Sequence, residues 1–485
     1  MTVIDLDELT VAQIHQAYED GDYTSEQLTA AYFARIDSLD QSTTLNAIVV
    51  KNPDALKRAR ELDEEYAKTG KLRPMHGIPV IVKDNYHTMG LQTAGGSIVL
   101  KGFEPKDDAW QVAKLKEAGA IVLVKSNMGE WAFSAKHTNS SLIGTTRNPY
   151  NTDHVPAGSS GGTAAGVAAN FGAVGLGTDT GNSIRGPSSH NALVGFRSTL
   201  GLTSRHGIIP LYMRNDVGGP MCRTVEDATR ILELIAGYDP ADPLTKHSEG
   251  RVAESYMAHL KKDGLKGKRI GVLRQLSERD SHPSIQKLFN TAVEDLEKLG
   301  AEIVDPFDIP NFDEVRKDQW CSEFRVDIEE WLAANHPTLR TLEDIIAAGT
   351  PTPSAAEGLE YFLTNAGRGD DSAVPCGDAY SDPKRIAYRK AIEGEMDRLK
   401  VDAIIYPSWG HPPAKIELFE EGYLGDNSQI IAPHTGQPAF TVPMGFSEGN
   451  LPAGLQILGR MYDEPTLIEI AYGYEQGTMH RRKPY

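Results

Sequence analysis

The chain has 485 residues, of which 40% are hydrophobic and 24% charged, with a formal net charge of −18. That length permits a large core and more than one structural layer, and no stretch approaches the roughly 20 uninterrupted apolar residues of a membrane span. The acidic balance lacks the clustered Lys and Arg that phosphate contacts need, so nucleic acid is not an expected partner and the charge reads as solubility.

The first residues, "MTVIDLDELT", carry acids where a secretion signal carries bases, and no apolar stretch follows. Cys222, Cys321 and Cys376 are widely spaced and form no CxxC pair, so no disulfide framework is expected. These features predict a cytoplasmic protein in a reducing compartment.

Residues 1–70 are predicted to be a helical segment packed on the core. Thr24 and Gln27 form a T-x-x-Q capping box, and Leu28, Tyr32, Ile36 and Leu39 share one helical face. From residue 71 to 485 the pattern is that of one α/β domain. Strands are predicted at Ile78 to Val82, Ile121 to Val124, Ala173 to Thr178, Ile270 to Leu273, Ile303–Val304 and Ala403 to Tyr406. Helices are predicted from Asp108 to Ala118, from Gly161 to Asn170, from the cap Thr224 to about Ala236, and along the face Ile285, Leu288, Phe289, Ala292, Leu296, Leu299. Strands alternating with helices imply an α/β fold with a large mixed, mainly parallel central sheet covered by helices on both faces. Residues 310–400 break the pattern. They are rich in charge and aromatics, with "TPTPS" and "GRGDDS" as loop signals, and are expected to lie beside the sheet and line a substrate pocket.

Between Gly158 and Gly219 the chain is dense in Gly and Ser, which marks either plain loops or close approach to a ligand. Gly158-Ser159-Ser160-Gly161-Gly162 matches G-x-S-x-G, but the polar, proline-containing "NTDHVPA" before it is no strand, so the nucleophile-elbow reading fails. No lysine follows at P-loop spacing, and Gly175-Leu176-Gly177 lacks the third glycine of a dinucleotide fingerprint. Ser183 is placed differently. A strand ending near Thr178 delivers "DTGNS" to the sheet edge, where Thr180, Gly181 and Asn182 can aim backbone N–H groups into one hollow, as a developing oxyanion requires. A serine nucleophile needs a base. Lys83, after the apolar Pro79-Val80-Ile81-Val82, can act as one if burial strips its charge. From spacing alone, a plain ion pair with Asp84 is the favoured reading of Lys83.

Here the chain resembles the amidase signature family. "GIPVIVKDN" is similar to the family's lysine segment, "NMGEWAFS" and "RNPYNTDHVPAGSSGGTAAGVAA" to the stretch leading to its first serine, and "LGTDTGNSIRGPSS" to its nucleophile segment. "RTVEDATRIL", "GQPAFTVPMG" and "LPAGLQILGR" resemble later segments. The resemblance implies the amidase signature fold and a Ser–Ser–Lys triad. Ser183 is then the nucleophile, Ser159 the bridge after a cis Gly158–Ser159 peptide, and neutral Lys83 the base. Backbone N–H groups of Thr180, Gly181 and Asn182 form the oxyanion hole, and neither metal nor organic cofactor is needed.

Three positions depart from the family pattern: Asn182 where a second glycine is usual, Ala157 where a glycine precedes Gly158, and Pro433 where an asparagine is common. Met128, Arg185 and Tyr212 are candidate substrate contacts. Arg185 binds a substrate carboxylate or, as its spacing favours, pairs with Asp179. The implied activity is hydrolysis of a small carboxylic acid amide through an acyl-enzyme. The alternatives are a glutaminase-type A subunit of a glutamine-dependent amidotransferase, and a non-catalytic binding protein on the same fold. The expected partner is a small-molecule amide; the oligomeric state is left open, a homodimer included.

Overall fold

In the computed structural model, which describes residues 4–365, 367–368 and 376–485, one sheet of 11 strands runs through the molecule. In chain order the strands are β1 (Ile48–Lys51), β2 (Pro79–Lys83), β3 (Ile121–Ser126), β4 (Val174–Asp179), β5 (Val194–Arg197), β6 (Val217–Cys222), β7 (Arg269–Val272), β8 (Glu302–Val304), β9 (Ala403–Pro407), β10 (Ala439–Ser447) and β11 (Leu451–Leu458). Across the sheet their order is β1-β3-β2-β4-β6-β5-β10-β11-β9-β7-β8. Every residue of β2, β3, β4 and β6 is buried. Successive side chains of a strand point to opposite faces, so both faces of this region are covered. The small-residue helix Gly161–Ala168 packs on β2 and β4, and the helix Val225–Ile235 on β5 and β6.

The sheet is mixed, as expected, but parallel pairs do not dominate. β2 runs parallel to β3 and β4, and β7 to β8 and β9; the pairings in the middle and at the β1 edge are antiparallel. The reason is local. β10 and β11 form a hairpin across the short turn Glu448–Asn450, and antiparallel pairs need no crossover helix. The first 70 residues also differ from expectation in one place. The Thr24 capping box and the helix Ser25–Leu39 are present, but Ile48–Lys51 is a strand on β3, in keeping with the β-branched run Ile48-Val49-Val50.

Among the described residues of 310–400, besides the helix Pro383–Leu399, are the helices Phe324–Asn335, Leu342–Ala348 and Pro353–Thr364. Thr352 of "TPTPS" caps the last of these; most of "GRGDDS" lies outside the described residues. Phe324, Ile328, Leu332, Leu342, Ile345, Leu359 and Phe362 pack with Ala94, Met128 and Trp131 into a second apolar core beside the sheet. The cysteines correct the sequence reading: Cys321 and Cys376 form a disulfide with Cα atoms 5.6 Å apart, while Cys222 is buried and free. Spacing along the chain misled because a short ladder of Cys321–Ser322 with Gly367–Arg368 brings the chain back. The argument from cysteines to a reducing compartment goes with it. Among the described residues, no helix is long and apolar enough to cross a membrane.

Denatured without reductant, the protein is expected to take up one equivalent of a thiol alkylator, at Cys222, and three after reduction. Intact mass reads the difference, and three equivalents before reduction would remove the disulfide.

Candidate active site

β2 and β4 are parallel neighbours, so their C-terminal ends meet at one edge of the sheet. Lys83 ends β2 and is fully buried. Its Nζ donates to Ser159 Oγ at 2.8 Å and to Thr178 Oγ1, near the end of β4, at 2.7 Å. Burial lowers the lysine pKa from 10.5 to about 7, against the opposing pull of Asp216 and Asp179. Asp84 is not its partner. Adjacent strand residues face opposite sides, and Asp84 Oδ1 lies 3.4 Å from Lys125 Nζ instead.

Ser159 lies between "NTDHVPA" and the helix Gly161–Ala168, with no strand before it. The Gly158–Ser159 peptide is cis. A Cβ on Gly158 would stand 2.3 Å from His137 O, and one on Gly162 2.2 Å from Asn127 O. These glycines are therefore demanded by close backbone approach. Ser160 Oγ donates to Thr178 O at 3.1 Å, which fixes this segment against β4.

After β4 the chain turns through Thr180–Ser183. Asp179 holds the turn from inside: its carboxylate accepts from the backbone N–H groups of Ile184 and Arg185 and from the guanidiniums of Arg185 (3.0 and 3.1 Å) and Arg197 (2.9 Å). Burial alone would raise the pKa of Asp179; the two arginines outweigh it and bring it to about 2. From the other side Thr180 Oγ1 donates to Asp216 Oδ1 at 2.5 Å. Among the described residues, the backbone N–H groups of Thr180, Gly181 and Asn182 have no protein acceptor. Ser183 Oγ donates to Asn182 Oδ1 at 3.4 Å, and no hydrogen bond joins it to Ser159 among the described residues.

Thr180 to Ser183 line a cavity of about 410 Å³. Phe133, Leu211, Tyr212, Trp320 and Phe362 give it an apolar and aromatic wall, and Lys136, Glu357, Glu420, Tyr423 and Gln429 a polar one. A buried, depressed-pKa amine in contact with one serine, beside a second serine on a cavity floor, suits acyl transfer.

A family model described as Amidase matches residues 27–468. The chain belongs to the amidase signature family. It is 34% identical over 99% of its length to a probable amidase of Arabidopsis thaliana, covering 92% of that protein. It is 32% identical to the A component of the glutamyl-tRNA(Gln) amidotransferase of Carboxydothermus hydrogenoformans, over 98% of this chain and 99% of that one. The crystal structure of native peptide amidase from Stenotrophomonas maltophilia superposes with a TM-score of 0.85 at 37% identity, covering 99% of both chains. The protein is thus an amide-hydrolysing enzyme.

Of the three expected substrate contacts in this amidase, Tyr212 lines the cavity and the other two do not. Arg185 is fully buried, its guanidinium taken up by Asp179, Gly181 O and Gln456. Met128 packs in the second core. Sequence reasoning missed Thr178, although a polar residue within a buried strand was a usable signal. It also missed Asp426, which accepts from the Asn182 side chain from far along the chain, and Tyr423 and Gln429, which donate to Asp426.

Two neighbouring substitutions should part in sign. Ala157 occupies the left-handed region with φ 63°, which costs an L-residue about 1 kcal/mol. Ala157→Gly is expected to leave stability unchanged or raise it by up to ~1 kcal/mol. Gly158→Ala is expected to cost ~2 kcal/mol or more, because its methyl meets backbone rather than a movable side chain. Chemical denaturation of both variants measures this.

Proposed function

We propose that this amidase cleaves a small carboxylic acid amide to the acid and an amine or ammonia, through an acyl-enzyme on Ser183. The observation that carries the reading is the fully buried Lys83 amine, 2.8 Å from Ser159 Oγ, with its pKa drawn down to about 7. At pH 7 about half of it, and above that most of it, is an uncharged amine, able to take a proton from Ser159 while Ser159 takes one from Ser183.

In the first step the Ser183 hydroxyl turns from Asn182 Oδ1 toward Ser159 and, losing its proton, attacks the substrate carbonyl carbon. The carbonyl oxygen becomes an oxyanion facing the N–H groups of Thr180, Gly181 and Asn182. One such donor is worth roughly 3 kcal/mol of barrier when fixed in advance. Asp179 and Asp216 hold the turn from both sides, so the donors need no reorganisation. As the C–N bond breaks, the proton returns through Ser159 to the leaving nitrogen. Water, deprotonated by the same relay, then attacks the acyl-enzyme and frees Ser183. The wall of Phe133, Tyr212, Trp320 and Phe362 would take the apolar part of the substrate. The alternative, the glutaminase component of an amidotransferase, draws support from the relative of that kind. It is tested by purification: glutaminase activity that appears only with partner subunits would favour it over a free-standing hydrolase.

On a panel of aliphatic, aromatic and peptide amides, Ser183→Ala is expected to lose at least ~10³-fold in kcat/KM; unchanged turnover rejects the mechanism. The wild-type kcat/KM should climb tenfold per pH unit up to about 7, where Lys83 loses its proton, and level off above. Lys83→Ala should fall as far as Ser183→Ala and recover in part at high pH.

Stability carries the opposite mark of the same lysine. Its folded pKa of about 7 lies below the unfolded 10.5, so between those values the unfolded chain binds a proton that the folded one does not. The folded state loses about 1.4 kcal/mol for each pH unit descended across that window. Lys83→Met is therefore expected to be inactive, and its stability advantage over wild type in chemical denaturation should grow from pH 10 to pH 7 and then level. A constant difference across this range would contradict the depressed pKa.

A further inference from the structure

The residue before the nucleophile carries a side chain where a glycine is usual in the family, and the structure shows where it goes. Asn182 is buried yet lines the cavity floor. Its Nδ2 donates to Asp426 Oδ2 at 3.0 Å and approaches Ala135 O at 3.5 Å, so the carboxamide bridges the cavity-lining segment at Ala135 and the loop that carries Asp426. Asp426 is fixed in turn by Tyr423 Oη at 2.9 Å and Gln429 Nε2 at 2.8 Å. Beyond the carboxamide lie Gly186 and the ring of Trp409. A Cβ built on Gly186 would stand 2.7 Å from Asn182 Nδ2 and 3.1 Å from Trp409 Cζ3. Trp409 is itself held, its Nε1 donating to Leu424 O at 2.7 Å. The Asn182 side chain therefore fills a space that opens on one side to the cavity and is walled on the other by a glycine and an indole.

We propose that Asn182 is a specificity-determining residue: its carboxamide is a false floor that closes an aromatic-walled recess against Gly186 and Trp409, restricting the enzyme to acyl groups short enough to stand above it. The inference rests on the amide-hydrolase reading for its substrate class. The side chain is held by a carboxylate with two further donors on it, so a substrate cannot displace it at the cost of one weak hydrogen bond. Shortening it converts filled polar volume into open volume with an apolar back wall. A pocket that gains room for one or more methylene groups changes its preference by roughly 10-fold or more. Gly186 belongs to the same device, since a methyl there refills the recess once the carboxamide is gone.

The test uses primary amides, whose leaving group is always ammonia, so that only the acyl group varies: butanamide against 3-phenylpropanamide and 2-naphthylacetamide. The readout is the ratio of kcat/KM for the bulky amide to that for butanamide, which cancels any general loss from altering the turn. Asn182→Gly is expected to raise this ratio at least ~10-fold, and Asn182→Ser to raise it less. Asn182→Gly with Gly186→Ala should bring it back toward wild type. A ratio unchanged in Asn182→Gly and Asn182→Ser, or one that stays high in the double variant, overturns the proposal. If wild type turned over none of these amides, the amide-hydrolase reading would fail by itself. The floor is then judged by calorimetric Kd values for the same amides on Ser183→Ala, with and without Asn182→Gly. Tighter binding of the bulky amide with the glycine supports it, and equal binding rejects it.

Discussion

An amine at the end of a strand buried on both faces has no water to hold its charge, and the rest of the site follows from that constraint. The sheet contains two such lysines on adjacent strands, Lys83 ending β2 and Lys125 on β3, one register position apart and so on opposite faces. Lys125 is compensated: Asp84 lies 3.4 Å away, and its Nζ donates to Tyr86 O, Gln92 O and Thr93 Oγ1. Among the described residues, the hydrogen-bond partners of Lys83 Nζ are the hydroxyls of Ser159 and Thr178. A hydroxyl accepts a hydrogen bond but does not neutralise a cation, so burial is met by loss of the proton rather than by pairing. Burial lowers both amines, and the one that receives the carboxylate is lowered less, Lys125 to about 8 against about 7 for Lys83.

Charge is handled the opposite way at the end of β4. Asp179 is as buried as Lys83, yet two guanidiniums and two backbone N–H groups keep it ionised. Its bonds to Ile184 N and Arg185 N lie just past Ser183, while the N–H groups of Thr180, Gly181 and Asn182 have no protein acceptor among the described residues. The carboxylate therefore organises the turn from behind. Arg185, which by sequence could serve a substrate carboxylate, is consumed in this task. Removing one partner would leave a buried charge uncompensated, which is far costlier than the intact cluster is stabilising.

What the sequence made legible follows from the range of each signal. β2, β3, β4, β7, β8 and β9 were readable because each is a short apolar run bounded by turn residues. β5, β6, β10 and β11 were not read as strands: β6 contains two glycines and a proline, and β10 carries Pro443 inside a buried run, which local propensity counts against a strand. These are the antiparallel strands at the centre, and missing them is what made the sheet look mainly parallel. In the site, Lys83, Ser159 and Ser183 were legible only together. Spacing alone favoured a Lys83–Asp84 pair, and the family resemblance reversed that reading. Asp426 and Trp320 left no local trace, because their roles depend on long-range contacts to the turn and cavity.

The cavity wall and the reacting turn are mechanically one piece. Thr180 is bound to Asp216, which also accepts from Leu211 N and Tyr212 N. Directly after Tyr212, Met213 N and the Arg214 guanidinium are held by Asp327, and Arg214 also pairs with Glu323. Glu323 accepts from Cys376 N, beside the disulfide to Cys321, and Cys321 follows Trp320 on the cavity wall. Trp320 on the cavity wall and the helix Phe324–Asn335 behind it are thus tied by consecutive polar contacts to the residues that shape the turn. Apolar residues of the wall can vary at the cost of local packing alone. Arg214, Asp216 and Asp327 cannot, because moving any of them displaces the turn as well as the wall. Variation in substrate choice is therefore expected to concentrate on aromatic wall positions such as Phe133, Trp320 and Phe362, and on the floor at Asn182, while the charged links behind them stay fixed.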